Sequence, residues 1–226
     1  MKKLLFPAIL LLIAIIAYSQ DKETRTLSHF NGVSVSSAIE VILKKGNEEK
    51  AELVVSGTDI KNVLTDVSGS ELKIGMRSGN YHHVDATVYL TYKELESIDI
   101  SSAAKLHCDE AIQADAMEIN VSSAGKGDVN LNVNKLNVDI SSAGNLTVKG
   151  RAGKQDIEVS SAGGYNGEDL QSEEAEVKVS SAGNARINVN KSLDAEANSG
   201  GSIKYKGNPD KEYTSENSGG NVRKTD

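Results

Sequence analysis

Tryptophan is absent from this chain of 226 residues, phenylalanine occurs twice, and aromatic residues make up 4% of the whole. A core with so few rings has to be filled by Val, Ile, Leu and Ala, which suits thin, regular layers better than one bulky centre. The composition is also unlike sugar-binding sites that stack rings on aromatic platforms. Cysteine occurs once, as Cys108, so no internal disulfide is available. Cys108 does not sit behind a leader, where a lipid-modified cysteine would have to be, and a small buried thiol is the expected role. Excess positive charge is missing too. Basic residues number 25 against 32 acids, a net charge of −7, which argues against nucleic acid and anionic membrane as partners.

Long apolar runs are confined to the first stretch, MKKLLFPAILLLIAIIAYSQ. It has Lys2 and Lys3, an apolar run from Leu4 to Ala17 interrupted by Pro7, and small residues Ala17 and Ser19. The pattern predicts a secretory signal over residues 1–19, cleaved after Ser19, since the run falls short of the ~20 residues needed to span a bilayer. Removing Lys2 and Lys3 from the 25 basic residues leaves 23 against 32 acids, a net charge near −9. An exported chain of residues 20–226 with no membrane span is expected, long enough for a single domain.

What the chain has in abundance is one tetrad. Ser101-Ser102-Ala103-Ala104 is followed by four Ser-Ser-Ala-Gly copies starting at Ser122, Ser141, Ser160 and Ser180, then by Asn-Ser-Gly-Gly at Asn198 and Asn217. Their starts are 21, 19, 19, 20, 18 and 19 residues apart, a fixed period that marks a solenoid. Between tetrads the chain alternates apolar and polar residues. Leu136, Val138 and Ile140 precede one tetrad and Leu146 and Val148 follow it, a period of two that predicts strands with one face buried. The fold class expected is therefore all-β: a parallel β-helix with coils of about 19–20 residues over 99–226. The tetrad is expected to form an inward corner that packs on its own copies, rungs ~4.8 Å apart, with glycine taking the positive φ of the turn and serine hydroxyls bonding along the stack.

Residues 20–98 read as a looser β region. An early Ser36-Ser37-Ala38 lies between Val33-Ser34-Val35 and Ile39-Glu40-Val41; Ala51–Gly57, Leu72–Ile74 and Val84–Leu90 read as strands. Ile60, Val63, Leu64 and Val67 fall on one helical face behind a cap at Thr58 or Asp59, so at most one short helix is expected there.

No catalytic, cofactor-binding or metal-ligating residue set emerges. The histidines His29, His82, His83 and His107 all lie upstream of the clean repeats, leaving the tetrad serines without a base. His82 and His83 are adjacent, with no further ligand at metal spacing, and read as a loop pair. Asp128, Asp139 and Asp156 stand at different offsets from their tetrads and make no ladder. Asn130, Asn132 and Asn134, with Arg186, Asn188 and Asn190 further on, are expected to form polar stripes on one face.

Phe30, Val33-Ser34-Val35, Ile39 through Gly46, the Leu72–Ile74 strand, Leu95–Ile98 leading into Ser101, and then the tetrads come in an order that resembles the auto-transporter adhesin head GIN domain family, exported bacterial proteins common among Bacteroidetes. The resemblance spans essentially the whole chain after the leader, although Ser-Ser-Ala-Gly stands where Gly-Ser-Gly types are frequent. It implies a β-helical, non-enzymatic protein of the periplasm or cell surface. The leader, the stacked repeat and the lack of a catalytic set lead to the expectation of a partner that is a glycan, a surface or an envelope protein, with no cofactor. A polysaccharide-cleaving β-helix enzyme and a purely structural envelope protein are the alternative readings. The polar end, NVRKTD, is expected to leave the chain a monomer or a weak end-to-end dimer.

Overall fold

The alternation of apolar and polar side chains is expressed directly as strands. The computed structural model describes residues 20–225, so the leader and its cleavage position lie outside the described residues. The chain begins with β1 (Asp21–Thr26), β2 (Gly32–Val35), β3 (Glu40–Lys45) and β4 (Lys50–Ser56), then β5 (Val63–Ser68), β6 (Glu71–Met76), β7 (Asp85–Tyr92) and β8 (Ser97–Ile100). Five long strands follow: β9 (Lys105–Val121), β10 (Lys126–Ile140), β11 (Asn145–Val159), β12 (Gly164–Val179) and β13 (Asn184–Ala197). The last are β14 (Ser202–Lys206), β15 (Lys211–Glu216) and β16 (Asn221–Lys224). Each long strand pairs in parallel with the next, and the whole is a β-solenoid of about seven turns.

Within each coil the inward positions are apolar and nearly sealed. Leu146, Val148, Ala152, Ile157 and Val159 of β11 are at most 4% exposed, and their register partners on β10 (Gly127, Val129, Val133, Val138 and Ile140) are all buried. Burying a Val, Leu or Ile side chain contributes roughly 1.5–3 kcal/mol, so columns repeated through the coils supply the driving force that missing aromatics would otherwise provide. The alternation slips once per coil: Val133 and Leu136 both point inward, with Asn134 and Lys135 exposed between them. That slip is the coil's second bend, and the strand hydrogen bonding runs through it.

The tetrads form the first bend, but not as an inward corner. Ser123 (φ 48) and Ala124 (φ 60) are exposed and both left-handed, and the same pair of values recurs at Ser142–Ala143, Ser161–Ala162 and Ser181–Ala182. Gly125 N donates to Ser122 O at 2.8 Å, closing a tight turn whose two central residues have positive φ, the hairpin type usually built from Asn-Gly. Glycine is therefore not what supplies the positive φ in these copies. It stands at the fourth, buried position, where a Cβ on Gly125 would lie 2.6 Å from Ile100 O and one on Gly144 2.5 Å from Val121 O. The bond along the stack is made by backbone, not hydroxyls: Ala124 N donates to Ser142 O, and Ala143 N to Ser161 O, each at 3.0 Å. Small residues are needed because the turns nest backbone to backbone.

The early Ser36-Ser37-Ala38 is a turn of the same stack. Ala38 N donates to Ser102 O, β2 pairs with β8 and β3 with β9. Residues between β3 and β8 fold back on the other side of this rung, where β6 pairs with β2 and β7 with β3. Three antiparallel ladders finish that end: β4 on β7, β1 on β4, and β5 on β6. The expected helix is only a 3-10 turn, Ile60–Asn62, capped by Asp59, whose carboxylate accepts from Lys61 N at 2.9 Å. Val63 and Val67 belong instead to β5, turned back onto β6 at Gly69 (φ 65), and the β-branched Val-x-Thr-x-Val alternation outweighs the helical spacing.

Candidate binding surface

The strand segment after each tight turn carries outward residues at every second position, and the parallel register lines them up rung over rung. The column nearest the turn runs Lys105, Lys126, Asn145, Gly164, Asn184, Ser202, Asn221. The next runs His107, Asp128, Thr147, Asn166, Arg186, Lys204, Arg223. Gly164 breaks the first column. With no side chain there, a groove of about 340 Å3 opens between the flanking Asn145, Asn184, Thr147, Asn166, Arg186 and Lys204. A Cβ on Gly164 would lie 2.7 Å from Asn145 Oδ1, so the glycine is what leaves room for that amide. The volume is in the ~300–1,000 Å3 range of small-ligand sites, and the lining is amide, hydroxyl, guanidinium and ammonium.

Charge is distributed unevenly along this face. In the upstream rungs it is compensated: His107 Nε2 lies 3.1 Å from an Asp109 oxygen and its Nδ1 3.8 Å from Asp128, while Lys149 reaches Asp109 at 3.7 Å and Asp128 at 4.0 Å. The hydrogen bond from His107, with its charge, and then Lys149 hold the Asp109 carboxyl below its ordinary value. In the downstream rungs Arg186, Lys204 and Arg223 stack directly on one another, all exposed. Among the described residues none of the three has an ion-pair or side-chain hydrogen-bond partner.

The other side of the turn carries the opposite sign. Asp156, Glu176 and Asp194 occupy one column. Asp128, Asp139 and Asp156 do fall in three different columns, as their offsets imply, but Asp156 has acidic neighbours in register that a comparison of aspartates alone misses. This column is neutralised at its centre. Glu176 is 2.9 Å from Lys178 and 3.7 Å from Lys154, and the hydrogen bond from Lys178 lowers its carboxyl while raising the Lys178 ammonium.

The asparagine stripes are only partly realised. Asn132 and Asn188 share a column through Arg151 and Gln171, but Arg186 lies over Asp128 and not over Asn130, whose partners are Lys149 and Asp169. Bulges between Asn166 and Gln171 shift the register by enough to break the simple count. A second groove, about 450 Å3, follows the other bend past Asn132, Arg151, Gln171 and Asn190.

His82 and His83 lie in the loop between β6 and β7, His83 at φ 56, beside a cleft of about 490 Å3 lined by Met76, Arg77, Tyr81 and His83. Among the described residues no three His, Cys, Asp or Glu side chains gather as a metal site. Cys108 is fully buried, its Sγ 3.2 Å from Glu110 O, and burial pushes the thiol up to about 11. One buried polar chain crosses the core: Tyr165 Oη donates to Gln155 Oε1 (3.1 Å), Gln155 Nε2 to Ser172 Oγ (2.7 Å), and Ser172 Oγ to Asn188 O (2.7 Å). Alternation alone marks Gln155 and Ser172 as inward, but their polarity hides them from any apolar pattern. Being complete, the chain costs the core little; it links three coils.

No helix among the described residues is long and apolar enough to cross a membrane. A structure described as a putative adhesin from Bacteroides fragilis NCTC 9343 shares the fold at TM-score 0.81 and 20% identity, covering 92% of this chain and 97% of that one. A putative adhesin from Parabacteroides merdae ATCC 43184 gives 0.75 at 19% identity, with 92% and 96% covered. A third, described as a putative lipid binding protein from Parabacteroides distasonis ATCC 8503, gives 0.71 at 19% identity, with 92% and 97% covered. None of the curated proteins matches the chain. The family described as "Putative auto-transporter adhesin, head GIN domain" matches residues 29–209, and the chain belongs to it.

Proposed function

We propose that the chain is an exported, non-enzymatic binding protein of the bacterial cell envelope, an adhesin in the plain sense that its rigid stack displays side chains to an outside partner. The observation that carries this reading is the polar groove over Gly164, set in a face whose backbone is fixed by a parallel ladder on both sides. Asn145, Asn184 and Asn166 offer amide donors and acceptors, and Thr147 and Ser202 offer hydroxyls, on a scaffold that loses little freedom when a ligand binds. Export is supported by the leader pattern at residues 1–19 and by the adhesin family.

Such a surface suits a glycan, held by hydrogen bonds rather than by stacking on rings. Among the described residues the histidine ion-pair contacts are His29 with Glu49 and His107 with Asp109 and Asp128, and neither group includes a serine or cysteine. The purified chain applied to a glycan array should retain defined structures, and Asn145→Ala with Asn184→Ala should weaken that retention several-fold. Reproducible cleavage of a polysaccharide, lost on replacing a single aspartate, would make the protein an enzyme instead. Cell fractionation with an antibody to the chain tests export, and a cytoplasmic pool alone would reject it.

A further inference from the structure

Arg186, Lys204 and Arg223 hold consecutive positions in one outward column, Arg186 opposite Lys204 and Lys204 opposite Arg223. Like charges directly opposite in a ladder work against pairing, and rungs are only ~4.8 Å apart. Elsewhere in the parallel coils one other column stacks three like charges, Asp156, Glu176 and Asp194, and there Lys154 and Lys178 sit on Glu176. Upstream in the cations' own column, His107 and Asp128 alternate in sign with Lys149 beside them. Of these two stacked triples only the cationic one has no ion-pair partner among the described residues, and it stands in a chain whose net charge is −7. All three are exposed.

We propose that this column is a binding site for an anionic polysaccharide, one negatively charged sugar meeting each cation. The proposal rests on the glycan-binding reading above and names its ligand class. A linear polyuronate presents a carboxylate on every residue, so a run of negative charges can lie along the run of cations. Arg186 and Arg223 bind carboxylates through two parallel N–H donors, and Lys204 contributes a point charge between them. The groove is continuous with the column, since Arg186 and Lys204 line it beside Asn184 and Ser202, whose polar groups reach sugar hydroxyls. A second copy of the chain is the weaker occupant, because the acidic column that would face these cations already carries its own lysines. The net negative charge is not an obstacle: at 0.1 M salt charges beyond ~10 Å are largely screened, whereas a carboxylate in contact with the column lies well inside that length and is displaced only as salt rises further.

The test uses the full chain on immobilised polygalacturonate at about 0.1 M salt, with dextran as the neutral polymer and phosphatidylglycerol vesicles as a non-glycan anion. The native chain should bind polygalacturonate and neither of the others, and raising salt should release it. Replacing the column, R186Q with K204Q and R223Q, should weaken binding tenfold or more with an unchanged circular dichroism spectrum. K105Q with K126Q and K135Q removes the same charge elsewhere and should leave binding as it was. Equal losses in the two triples, preference for the vesicles, or no binding to polygalacturonate would overturn the inference. If the column triple keeps a neutral glycan found on the array, the binding reading stands without this site; if the native chain binds no glycan at all, both readings fall.

Discussion

At the N-terminal end of the stack the outermost strands reverse direction, β4 running antiparallel to β7 and β1 antiparallel to β4, whereas at the C-terminal end β15 and β16 continue the parallel stacking of β13 and β14. The first end stays apolar inside: Ala51, Leu53 and Val55 of β4 are at most 1% exposed. Arg25 of β1 ties the cover down, donating to Val63 O at 2.6 Å, Thr65 Oγ1 at 3.1 Å and Ile60 O at 3.2 Å. At the second end the pairing pattern is kept and the chemistry changes. The inward column Leu193, Ala195, Ala197 becomes Glu212, Thr214, Glu216 one rung later, and Tyr205 is followed by Lys224. A solenoid can thus be stopped by folding chain across its mouth or by making its last rung unsuited to another, the inward-charge device known from sheet edges.

The largest expected contrast between the ends is in packing. Leu53→Ala opens a cavity under the N-terminal cover and should cost about 2–5 kcal/mol, read as a lower urea midpoint with unchanged slope. Val222→Ala, at the half-buried apolar position of the last rung, should cost under about 1 kcal/mol, since little surrounds it to form a cavity. Equal losses at the two sites would mean that the last rung is as much a part of the core as the first.

Alkaline pH sharpens the same contrast. Near the covered end Cys108 is sealed, and its thiol is held at about 11 by burial against an ordinary value of 9. A raised folded value means that the folded state resists ionisation. The stabilisation is fully present below pH 9 and is lost as pH rises from 9 toward 11, amounting to about 1–2 kcal/mol by pH 10. In Cys108→Ala that part of the decline should vanish, whatever the substitution costs in packing. At the open end Tyr205 donates to Glu212 at 2.6 Å and is raised to about 12, first by burial and then by this carboxylate, so its share begins only above the ordinary value of 10. An alkaline profile identical in the native chain and the Cys108 variant would show that the thiol is reachable by water.

Converting the last inward column to apolar residues, E212L with T214V and E216V, asks whether chemistry alone closes the open end. The variant should associate end to end, its mass by light scattering rising with concentration more steeply than that of the native chain. If it does not, the unpaired edge of β15 is blocked by something other than its inward charges.

Much of this architecture is legible before any coordinates are known. The spacing of the tetrads places the turns, and the alternation assigns Leu136, Val138, Ile140, Leu146 and Val148 to the interior correctly. The second bend is written as plainly, in the adjacent outward pairs Asn134-Lys135, Gly153-Lys154 and Glu173-Glu174, as a slip in alternation. Two features are not legible. The rung formed by β2 and β3 meets β8 and β9 across a long insertion, and no local pattern encodes which side that insertion covers. The charge columns depend on register, and the bulge near Asn166 to Gln171 moves residues such as Asn188 by three positions, so counting from the tetrads misplaces them. The conformation of the turn was hidden for another reason: Ser-Ala is a poor advertisement for two consecutive left-handed residues.

That turn offers the smallest effect and the most direct internal control. Six of these turns, counting the early one at Ser36, place alanine at φ 56–60 in the third position, whereas the two copies nearest the open end place Gly200 (φ 75) and Gly219 (φ 79) there. A left-handed conformation costs a residue with a Cβ roughly 1–2 kcal/mol, and glycine gives part of that relief back through its larger unfolded-state entropy. Ala124→Gly should therefore stabilise the fold slightly, by about 0.5 kcal/mol, and Gly200→Ala should destabilise it by a similar amount. Neither side chain meets a neighbour that could confuse the reading, since Ala124 is exposed and a Cβ on Gly200 has nothing within 4 Å. If Ala124→Gly instead destabilises, the alanines are favoured by what they do to the unfolded chain, and the relaxed copies at the open end mark a stretch where that constraint is dispensable.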